Sequence, residues 1–113
     1  MGGIKHDGGK NRLDLLPIAA LMEVGKVYSF GCSKYEDRNW EKGIKYSRLF
    51  GALLRHLWGW WRGERNDPET KLHHLTSVVW CGLGLLHYEL YHELYAPFDD
   101  RPNYKTRQMG LPI

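Results

Sequence analysis

Residues 46–62, YSRLFGALLRHLWGWWR, decide the fold, because their apolar side chains repeat at every fourth position. The repeat forms two adjacent rows, Leu49, Leu53 and Leu57 beside Phe50, Leu54 and Trp58. Side chains four residues apart lie on the same face of an α-helix, so the two rows predict a helix with a wide apolar face. Such a face needs neighbouring helices to cover it, and the segment therefore predicts a helical bundle.

A second helix is predicted before this segment. It is expected to begin near Asp14 or Pro17 and to end at Gly31, because residues 18–28 carry apolar side chains at helical spacing. The stretch before it, residues 1–13, contains four glycines and three basic residues but no apolar periodicity. This composition predicts an ordered arm rather than a helix.

The third helix is predicted to be the longest. Asp67 followed by Pro68 is typical of an N-cap and a first helical residue, so this helix is expected from about Pro68 to Tyr95. It is longer than two partner helices can cover, which favours completion of the bundle in a homo-oligomer, either a dimer or a tetramer. Residues 97–113 contain three prolines and are expected to form an irregular tail. The sequence thus predicts one all-α domain over residues 1–113, with three main helices.

Composition and charge limit the classes of partner and the cellular location that the chain can have. The net charge is +3 and the sequence pI is about 8.9, which favours a small anionic partner. The basic residues are too dispersed for a protein that binds duplex nucleic acid. Cys32 and Cys81 lack the spacing of a disulfide framework and are expected to be reduced thiols. A polar N-terminus and the absence of a long apolar run argue against a signal peptide and a membrane span, and they favour a cytoplasmic location.

The arm carries the first candidate phosphate-binding residues. Lys5, Lys10 and Arg12 surround the pair Gly8 and Gly9, and glycine lets backbone N–H groups approach an anion closely. The spacing is not that of a P-loop. A solvated, flexible terminus is the alternative interpretation.

A base-binding group is predicted after the first helix. Lys34, Tyr35, Asn39 and Trp40 place one cation, two aromatic rings and one amide within seven residues. The rings can stack on a base, the amide can read its edge, and the cation can pair with a phosphate. The alternative is a loop in which Tyr35 and Trp40 only support the fold.

The helix of residues 46–62 also carries a basic stripe. Arg48, Arg55 and Arg62 recur every seven residues, and small residues four positions after the first two leave the stripe open. A row of guanidinium groups beside His56 suits a polyphosphate, so Arg48, Arg55 and His56 are candidate substrate-binding residues. A solvent-facing stripe is the alternative.

Carboxylates and imidazoles gather around the turn that follows. Glu64, Asp67, Glu69 and His74 are the candidate catalytic and metal-binding residues. Carboxylates suit Mg²⁺ or Mn²⁺, whereas a group of histidines and carboxylates suits Mn²⁺, Fe or Zn²⁺. The alternative gives these residues separate structural roles, as an N-cap, a carboxylate near a helix N-terminus and partly buried imidazoles.

Four stretches together carry a family resemblance across roughly residues 4–85: KHDGGKNRLDLLP, FGCSKYEDRNW, RLFGALLRHLWGWWRGE and DPETKLHHL. Their ordered set resembles a phage-encoded family of dATP/dGTP diphosphohydrolases, which is akin to the MazG-like all-α nucleotide pyrophosphohydrolases. The resemblance implies a helical oligomer that uses a divalent metal, Mg²⁺ or Mn²⁺. The activity that it implies is cleavage of a purine (deoxy)nucleoside triphosphate to the monophosphate and pyrophosphate.

Two differences from these families support an alternative function. The MazG-like motifs EExxE and ExxD are absent, and LLRHLWGW and HHLTS stand in their places. The family's usual segment looks like ESGL-x-HLAH, whereas here Lys71 replaces a small residue and Ser77 replaces a histidine. The alternative is a non-catalytic nucleotide-binding protein, such as a phage sponge for a host defence messenger.

Overall fold

The computed structural model describes residues 2–6 and 8–102, apart from the side chains of residues 32–34. Within these residues the chain forms helices and no β-strand. The α-helices are α1 (Ile18–Lys34), α2 (Tyr46–Trp61), α3 (His74–Leu90) and α4 (His92–Tyr95), and the 3-10 helices are Leu13–Leu15, Asn39–Lys42 and Ala96–Phe98. The all-α fold class and the three main helices predicted from the sequence are confirmed.

The core lies where α2 packs against α3, and α1 lies against the same helix. Its buried side chains are Tyr46, Leu49, Cys81, Tyr88 and Tyr95. The rings of Tyr46 and Tyr88 stack with their centroids 5.9 Å apart. Burial raises the pKa of the Cys81 thiol to about 11, so this thiol stays protonated near neutral pH and serves as packing rather than as a nucleophile.

Two tyrosine hydroxyls attach the 3-10 helix Asn39–Lys42 to this core. The hydroxyl of Tyr88 donates to the carbonyl of Trp40 at 2.5 Å, and the hydroxyl of Tyr95 donates to the carbonyl of Glu41 at 2.8 Å. Buried hydroxyls require such partners. The two bonds therefore fix the connection between α1 and α2 against α3.

The start of the third helix differs from the sequence prediction. α3 begins at His74, well after the predicted start, and residues 62–73 form a folded loop. Lys71 has a φ of 67°, a left-handed backbone angle that a right-handed helix excludes. The Oδ1 atom of Asp67 accepts a hydrogen bond from the backbone N–H of Glu69 at 2.9 Å, inside this loop. Asp67 therefore caps a turn, and its prediction as a helix N-cap is wrong.

α3 ends at Leu90 rather than at the predicted Tyr95, and with 17 residues it is as long as α1, so its prediction as the longest helix is wrong. The remaining predicted bounds agree more closely. α2 starts as predicted and ends one residue earlier, at Trp61. α1 begins directly after Pro17 and continues past Gly31, whose carbonyl still accepts a bond from the N–H of Tyr35 at 2.8 Å. In the predicted irregular tail, Asp99 is buried behind the last 3-10 helix, and residues 103–113 lie outside the described residues.

Large apolar side chains remain exposed on the described helices. Prominent examples are Ile18, Met22, Phe50, Trp58, Trp61, Leu86, Leu90 and Leu94. No described helix is long and apolar enough to cross a membrane. The homo-oligomer that would cover these side chains stays a prediction.

Candidate functional site

An aromatic cavity of about 530 Å³ lies between the C-terminal half of α1, the 3-10 helix that precedes α2 and the start of α2. The aromatic rings that line it are those of Tyr28, Phe30, Tyr35, Trp40 and Trp80. Tyr28 meets Trp40 and Trp80 edge to face, with ring centroids 6.5 and 6.2 Å apart. The volume and the flat apolar walls suit an aromatic ring system.

The charged groups of the cavity differ in whether they are already paired. Arg38 pairs with Glu41 at 2.6 Å, and Glu36 pairs with Lys42 at 2.9 Å. The hydrogen bond from Lys42 lowers the pKa of Glu36, which keeps this carboxylate ionised. Arg48 also lines the cavity and forms no ion pair with any carboxylate of the described residues. Its guanidinium therefore remains available to an anion at the cavity.

The cavity brings together four of the residues that the sequence predicts to bind substrate. Tyr35, Asn39 and Trp40 come from one predicted group and Arg48 from another, and all four line the same space. The side chain of Lys34 lies outside the described residues. The sequence does not predict this convergence, because it depends on how α2 packs beside α1.

The predicted phosphate-binding residues of the arm lie elsewhere. Lys5 and Lys10 are exposed and do not line the aromatic cavity. Arg12 forms two hydrogen bonds with Asp14, of 2.9 and 2.8 Å, and both side chains are exposed. A phosphate-binding role for the arm stays a prediction.

A chain of two imidazoles and one carboxylate lies farther along α2. The Nδ1 atoms of His56 and His74 are 2.9 Å apart, and Nε2 of His74 is 2.6 Å from Oε1 of Glu64. His74 is buried, His56 is half-buried, and the Glu64 side chain is 50% exposed. We refer to Glu64, His74 and His56 as the imidazole chain. The sequence assigns its first two members to the metal and the third to the substrate, and the structure places all three in contact.

The backbone of the loop between α2 and α3 holds the imidazole chain in place. The N–H of Glu64 donates to the carbonyl of Gly59 at 3.0 Å, and the N–H of His74 donates to the carbonyl of Arg65 at 2.9 Å. A Cβ atom at position 59 would lie only 2.8 Å from Nε2 of His74. Glycine at this position is what allows the His74 ring to lie directly against α2.

Three other predicted residues surround the imidazole chain. Burial lowers the pKa of His56, and the negative charge of Asp67 opposes this shift. The charge of Arg55, which is exposed, also acts on the His56 ring. The Glu69 side chain is exposed, and the backbone N–H of Glu69 donates to Asp67. Asp67 is therefore the predicted carboxylate whose charge acts most directly on His56.

Comparison with known proteins identifies the family. A family model described as dATP/dGTP diphosphohydrolase, N-terminal, matches residues 2–101, a range that includes the aromatic cavity and the imidazole chain. The chain belongs to this family. A dATP/dGTP diphosphohydrolase from Salmonella phage PMBT28 is 40% identical over 79 residues, which are 70% of this chain and 27% of that protein. The chain thus spans about a quarter of the length of this curated relative. No solved structure matches this chain.

A third group of titratable side chains in this family member lies at the end of α3. Glu89, His92 and Asp99 place their ligand atoms within 4.8 Å of one another, the one such group in the described part of the chain, and together they can hold a metal ion. Arg101 already supplies a cation there, 2.7 Å from Asp99 and 2.9 Å from Glu89. Nε2 of His92 is 2.8 Å from the same Asp99 carboxylate. We refer to these four residues as the tail cluster.

The tail cluster is not predicted from the sequence, because residues 97–113 are expected to be irregular. The hydrogen bonds from Arg101 lower the pKa of Asp99 to about 2. Asp99 has a side chain that is 0% exposed, so an arginine two residues away is the partner that its burial requires. The Asp-Asp-Arg triplet at residues 99–101 is the sequence signal that could have indicated such an ion pair.

Proposed function

We propose that the chain hydrolyses a purine (deoxy)nucleoside triphosphate to the monophosphate and pyrophosphate. The observation that carries this proposal is the aromatic cavity, which combines ring-stacking walls with an arginine that no described carboxylate neutralises. The name of the phage relative, dATP/dGTP diphosphohydrolase, supports the choice of a purine deoxynucleotide.

The positions of Arg48, Arg55 and His56 along α2 support a binding mode in which the ligand extends from the cavity to the imidazole chain. Arg48 and His56 are eight residues apart on this helix. Their separation along the helix axis is about 12 Å at a rise of 1.5 Å per residue. Arg55 lies seven residues after Arg48, only slightly rotated around the helix. A nucleotide whose base enters the cavity would direct its phosphates along this row.

The proposed contacts to the nucleotide follow from this orientation. Tyr35 and Trp40 stack on the base, Asn39 binds its edge, and Arg48 binds phosphate oxygens. The further proposed phosphate contacts are Lys5, Lys10, Arg12, Lys34, Arg55 and His56. Positive charge beside the phosphates stabilises the charge that develops in the transition state.

The proposed reaction uses a divalent metal, Mg²⁺ or Mn²⁺. We propose that the metal lies among Glu64, Asp67, Glu69 and His74, whose oxygen and nitrogen atoms are suitable ligands. When bound, such a metal activates water and neutralises phosphate charge. The chain's own groups orient the triphosphate and hold the loop that carries these residues.

A second candidate function is nucleotide binding without cleavage. Glu64, Asp67, Glu69 and His74 do not bring three ligand atoms within 4.8 Å of one another in the described structure. The MazG-like carboxylate motifs are also absent from the sequence. A protein of this kind would bind a nucleotide, such as a host defence messenger, and release it intact.

Product analysis separates the two functions. Purified protein is incubated with dATP, dGTP and the corresponding ribonucleotides, with Mg²⁺ or Mn²⁺, and the products are separated by chromatography. Monophosphate and pyrophosphate in equal amounts support the hydrolase. Intact nucleotide together with a raised melting temperature supports the binding protein.

A pair of arginine variants tests the orientation. Arg48→Gln removes a charged donor at the cavity, and it should weaken nucleotide binding about 10–100-fold, as expected for a charge-assisted hydrogen bond worth roughly 1.5–3 kcal/mol. Arg62→Gln removes an arginine directly after the end of the same helix, away from the cavity lining, and is the matched control. Equal affinities of the two variants, measured by calorimetry, would refute the proposed phosphate contact.

We also propose that the chain assembles into a homo-oligomer, a dimer or a tetramer. The many exposed apolar side chains of α2, α3 and α4 support this, because burying them against a second copy would remove apolar surface from water. Light scattering after size exclusion measures the assembly mass. A monomer at micromolar concentration would contradict the proposal.

A further inference from the structure

A second cavity, of about 570 Å³, lies between α1, the loop of residues 62–73 and the first turns of α3. We refer to it as the loop cavity. Apolar side chains of α1 and α3 form part of its lining, and the loop supplies Arg65, Asn66, Lys71 and His73. It shares no residue with the aromatic cavity or with the imidazole chain. A ligand of the loop cavity would therefore bind apart from both.

Two cations of the loop cavity have no anionic partner in the described part of the chain. Arg65 and Lys71 both line the cavity, and neither forms an ion pair with a described carboxylate. The remaining charged side chains of the lining, Glu23 and Lys26, pair with each other at 2.7 Å. The lining therefore carries an excess of positive charge. Such a concave surface attracts an anion.

The ring of His73 adds a hydrogen-bond donor to the same lining. Nδ1 of His73 accepts the backbone N–H of Leu75 at 3.0 Å, so Nδ1 carries no proton. An imidazole that accepts at Nδ1 carries its proton at Nε2. Nε2 of His73 forms no hydrogen bond with any described residue. This N–H can therefore be donated to an oxygen atom of a ligand.

The backbone at Lys71 supports a functional role for its side chain. Its φ of 67° is a left-handed angle that glycine adopts more readily than lysine. Two backbone bonds of 2.8 Å hold this turn, from the N–H of Lys71 to the carbonyl of Asp67 and from the N–H of Asp67 to the carbonyl of Leu72. Strained residues of this kind cluster at ligand-binding sites. A glycine would form the same turn at lower cost but would remove one cation from the loop cavity.

The lining favours a compact anion over a nucleoside. The described lining contains no aromatic side chain besides His73, so the loop cavity lacks the stacking walls of the aromatic cavity. Guanidinium and ammonium groups are the usual partners of phosphate oxygens in proteins. Two such groups and one imidazole N–H therefore suit a small phosphate ion.

We propose that the loop cavity binds a compact phosphate anion, of the class of inorganic pyrophosphate, through Arg65, Lys71 and the Nε2–H of His73. None of these three residues is among the proposed contacts to substrate or metal, so the site does not depend on the proposed reaction. Pyrophosphate released by that reaction and free inorganic phosphate are two sources of such an anion.

Calorimetric titration of the purified full-length protein tests this site. Pyrophosphate and phosphate are titrated separately, in EDTA, so that no divalent metal contributes to binding. Pyrophosphate should bind more tightly than phosphate, because it carries more charge and more acceptor oxygens. Absence of binding by both anions at millimolar concentration would overturn the proposal.

Two variants locate the bound anion. Arg65→Gln should weaken pyrophosphate binding about 10-fold, as expected for the loss of one charge-assisted hydrogen bond. Arg62→Gln is the matched control, because this exposed arginine lies three residues earlier and outside the lining. Lys71→Gly should also weaken binding about 10-fold, whereas its melting temperature should be at or above that of wild type, because glycine favours the left-handed angle. Wild-type affinity in Arg65→Gln and Lys71→Gly, or an equal loss in Arg62→Gln, would overturn the proposal.

Nuclear magnetic resonance of the unaltered protein separates the loop cavity from the aromatic cavity. Pyrophosphate should shift the backbone amide signals of Arg65 and Lys71 and leave those of Tyr35 and Asn39 in place. Shifts confined to Tyr35 and Asn39 would place the anion at the aromatic cavity and overturn the proposal. Pyrophosphate binding at the loop cavity without nucleotide hydrolysis would support the site and reject the proposed reaction. Hydrolysis without pyrophosphate binding would leave the proposed function intact and reject the site.

Discussion

The imidazole chain and the tail cluster contain the same kinds of side chains but differ in whether they are complete. In the tail cluster, Arg101 donates two hydrogen bonds to Asp99, at 2.8 and 2.7 Å, and neutralises a carboxylate that is fully buried. In the imidazole chain, no arginine or lysine of the described residues pairs with Glu64. Nε2 of His56, at the other end of the imidazole chain, has no hydrogen-bond partner among the described residues.

Residue type alone therefore does not distinguish a structural cluster from a functional one. A group in which every charge has a partner fixes the fold, because a ligand could enter only by displacing that partner. A group with an unpaired ring nitrogen can take a ligand without losing a bond. By this criterion the tail cluster fastens residues 99–101 to the end of α3, and the imidazole chain is the candidate functional site.

The largest expected effect comes from a methyl group placed against the imidazole chain. Gly59→Ala puts a Cβ atom 2.8 Å from Nε2 of His74, the nitrogen that contacts Glu64, so the ring must move. Overpacking of this kind costs about 1–3 kcal/mol of unfolding free energy. Because His74 and Glu64 are proposed metal ligands, their displacement should also weaken Mn²⁺ binding about 10–100-fold. Urea denaturation and metal titration measure the two effects.

Gly82→Ala is the matched control for this variant. Gly82 lies inside α3 and has nothing within 4 Å of its added Cβ. Alanine there should raise the unfolding free energy by about 0.5–1 kcal/mol, because glycine is unfavourable inside a helix. If both variants shifted stability in the same direction, the contact between Gly59 and His74 would not be a constraint on the fold.

Local patterns predicted the helices better than they predicted the site. The apolar repeat of residues 46–62 was sufficient for α2, because a helix depends on neighbours three and four residues away. The start of α3 was not predictable in this way. The left-handed backbone angle at Lys71 and the antiparallel β-bridge between Asn66 and His73 arise from the folded loop. The Asp-Pro pair in the sequence predicts neither of them.

The contacts of the site depend on tertiary packing in the same manner. Glu64 and His74 are ten residues apart, and His56 and His74 are eighteen apart, so no helical spacing relates them. The sequence supplied the chemistry, carboxylates and imidazoles near one turn, but the order of the hydrogen bonds came from the packing of α2 against α3. Tyr35, Asn39 and Trp40 were predicted together because they lie on one short segment.

A smaller effect is expected from opening the tail cluster. Arg101→Ala leaves the buried Asp99 carboxylate with the hydrogen bond from His92, and the expected loss of unfolding free energy is about 1–2 kcal/mol, low in the range for a buried group that loses a partner. Hydrogen bonds from Arg101 lower the pKa of folded Asp99 to about 2, from an ordinary value of 3.8. The stabilisation that the Arg101–Asp99 ion pair gives to the fold is therefore complete above about pH 4 and is lost as the pH falls through about 2.

Acid denaturation of the two proteins measures this dependence. The difference in unfolding free energy between wild type and Arg101→Ala should be constant from pH 5 to 7 and should shrink below about pH 4. Affinity for Mn²⁺ should stay within about threefold of wild type, because the proposed metal ligands Glu64, Asp67, Glu69 and His74 lie outside the tail cluster. Loss of Mn²⁺ binding in Arg101→Ala would place the metal in the tail cluster and reverse the comparison.

The smallest expected effect concerns backbone strain, which the two regions do not share. Lys71 in the loop beside the imidazole chain has a φ of 67°, whereas no residue of the tail cluster has a positive φ. A lysine in this conformation is less stable than a glycine by roughly 1 kcal/mol, after allowance for the greater freedom of glycine in the unfolded chain. Lys71→Gly should therefore raise the unfolding free energy by about 0.5–1 kcal/mol.

Lys71→Ala separates the backbone from the side chain in this test. Alanine removes the exposed lysine side chain but keeps the Cβ that disfavours the left-handed angle, so it should bring no gain. The N–H of residue 71 donates to the carbonyl of Asp67 at 2.8 Å and is retained in both variants. If only Lys71→Gly raised the unfolding free energy, the loop beside the imidazole chain would be held under backbone strain, as functional segments often are. If Lys71→Gly and Lys71→Ala raised the unfolding free energy equally, the cause would be the loss of the lysine charge. The loop beside the imidazole chain would then carry no more backbone strain than the tail cluster.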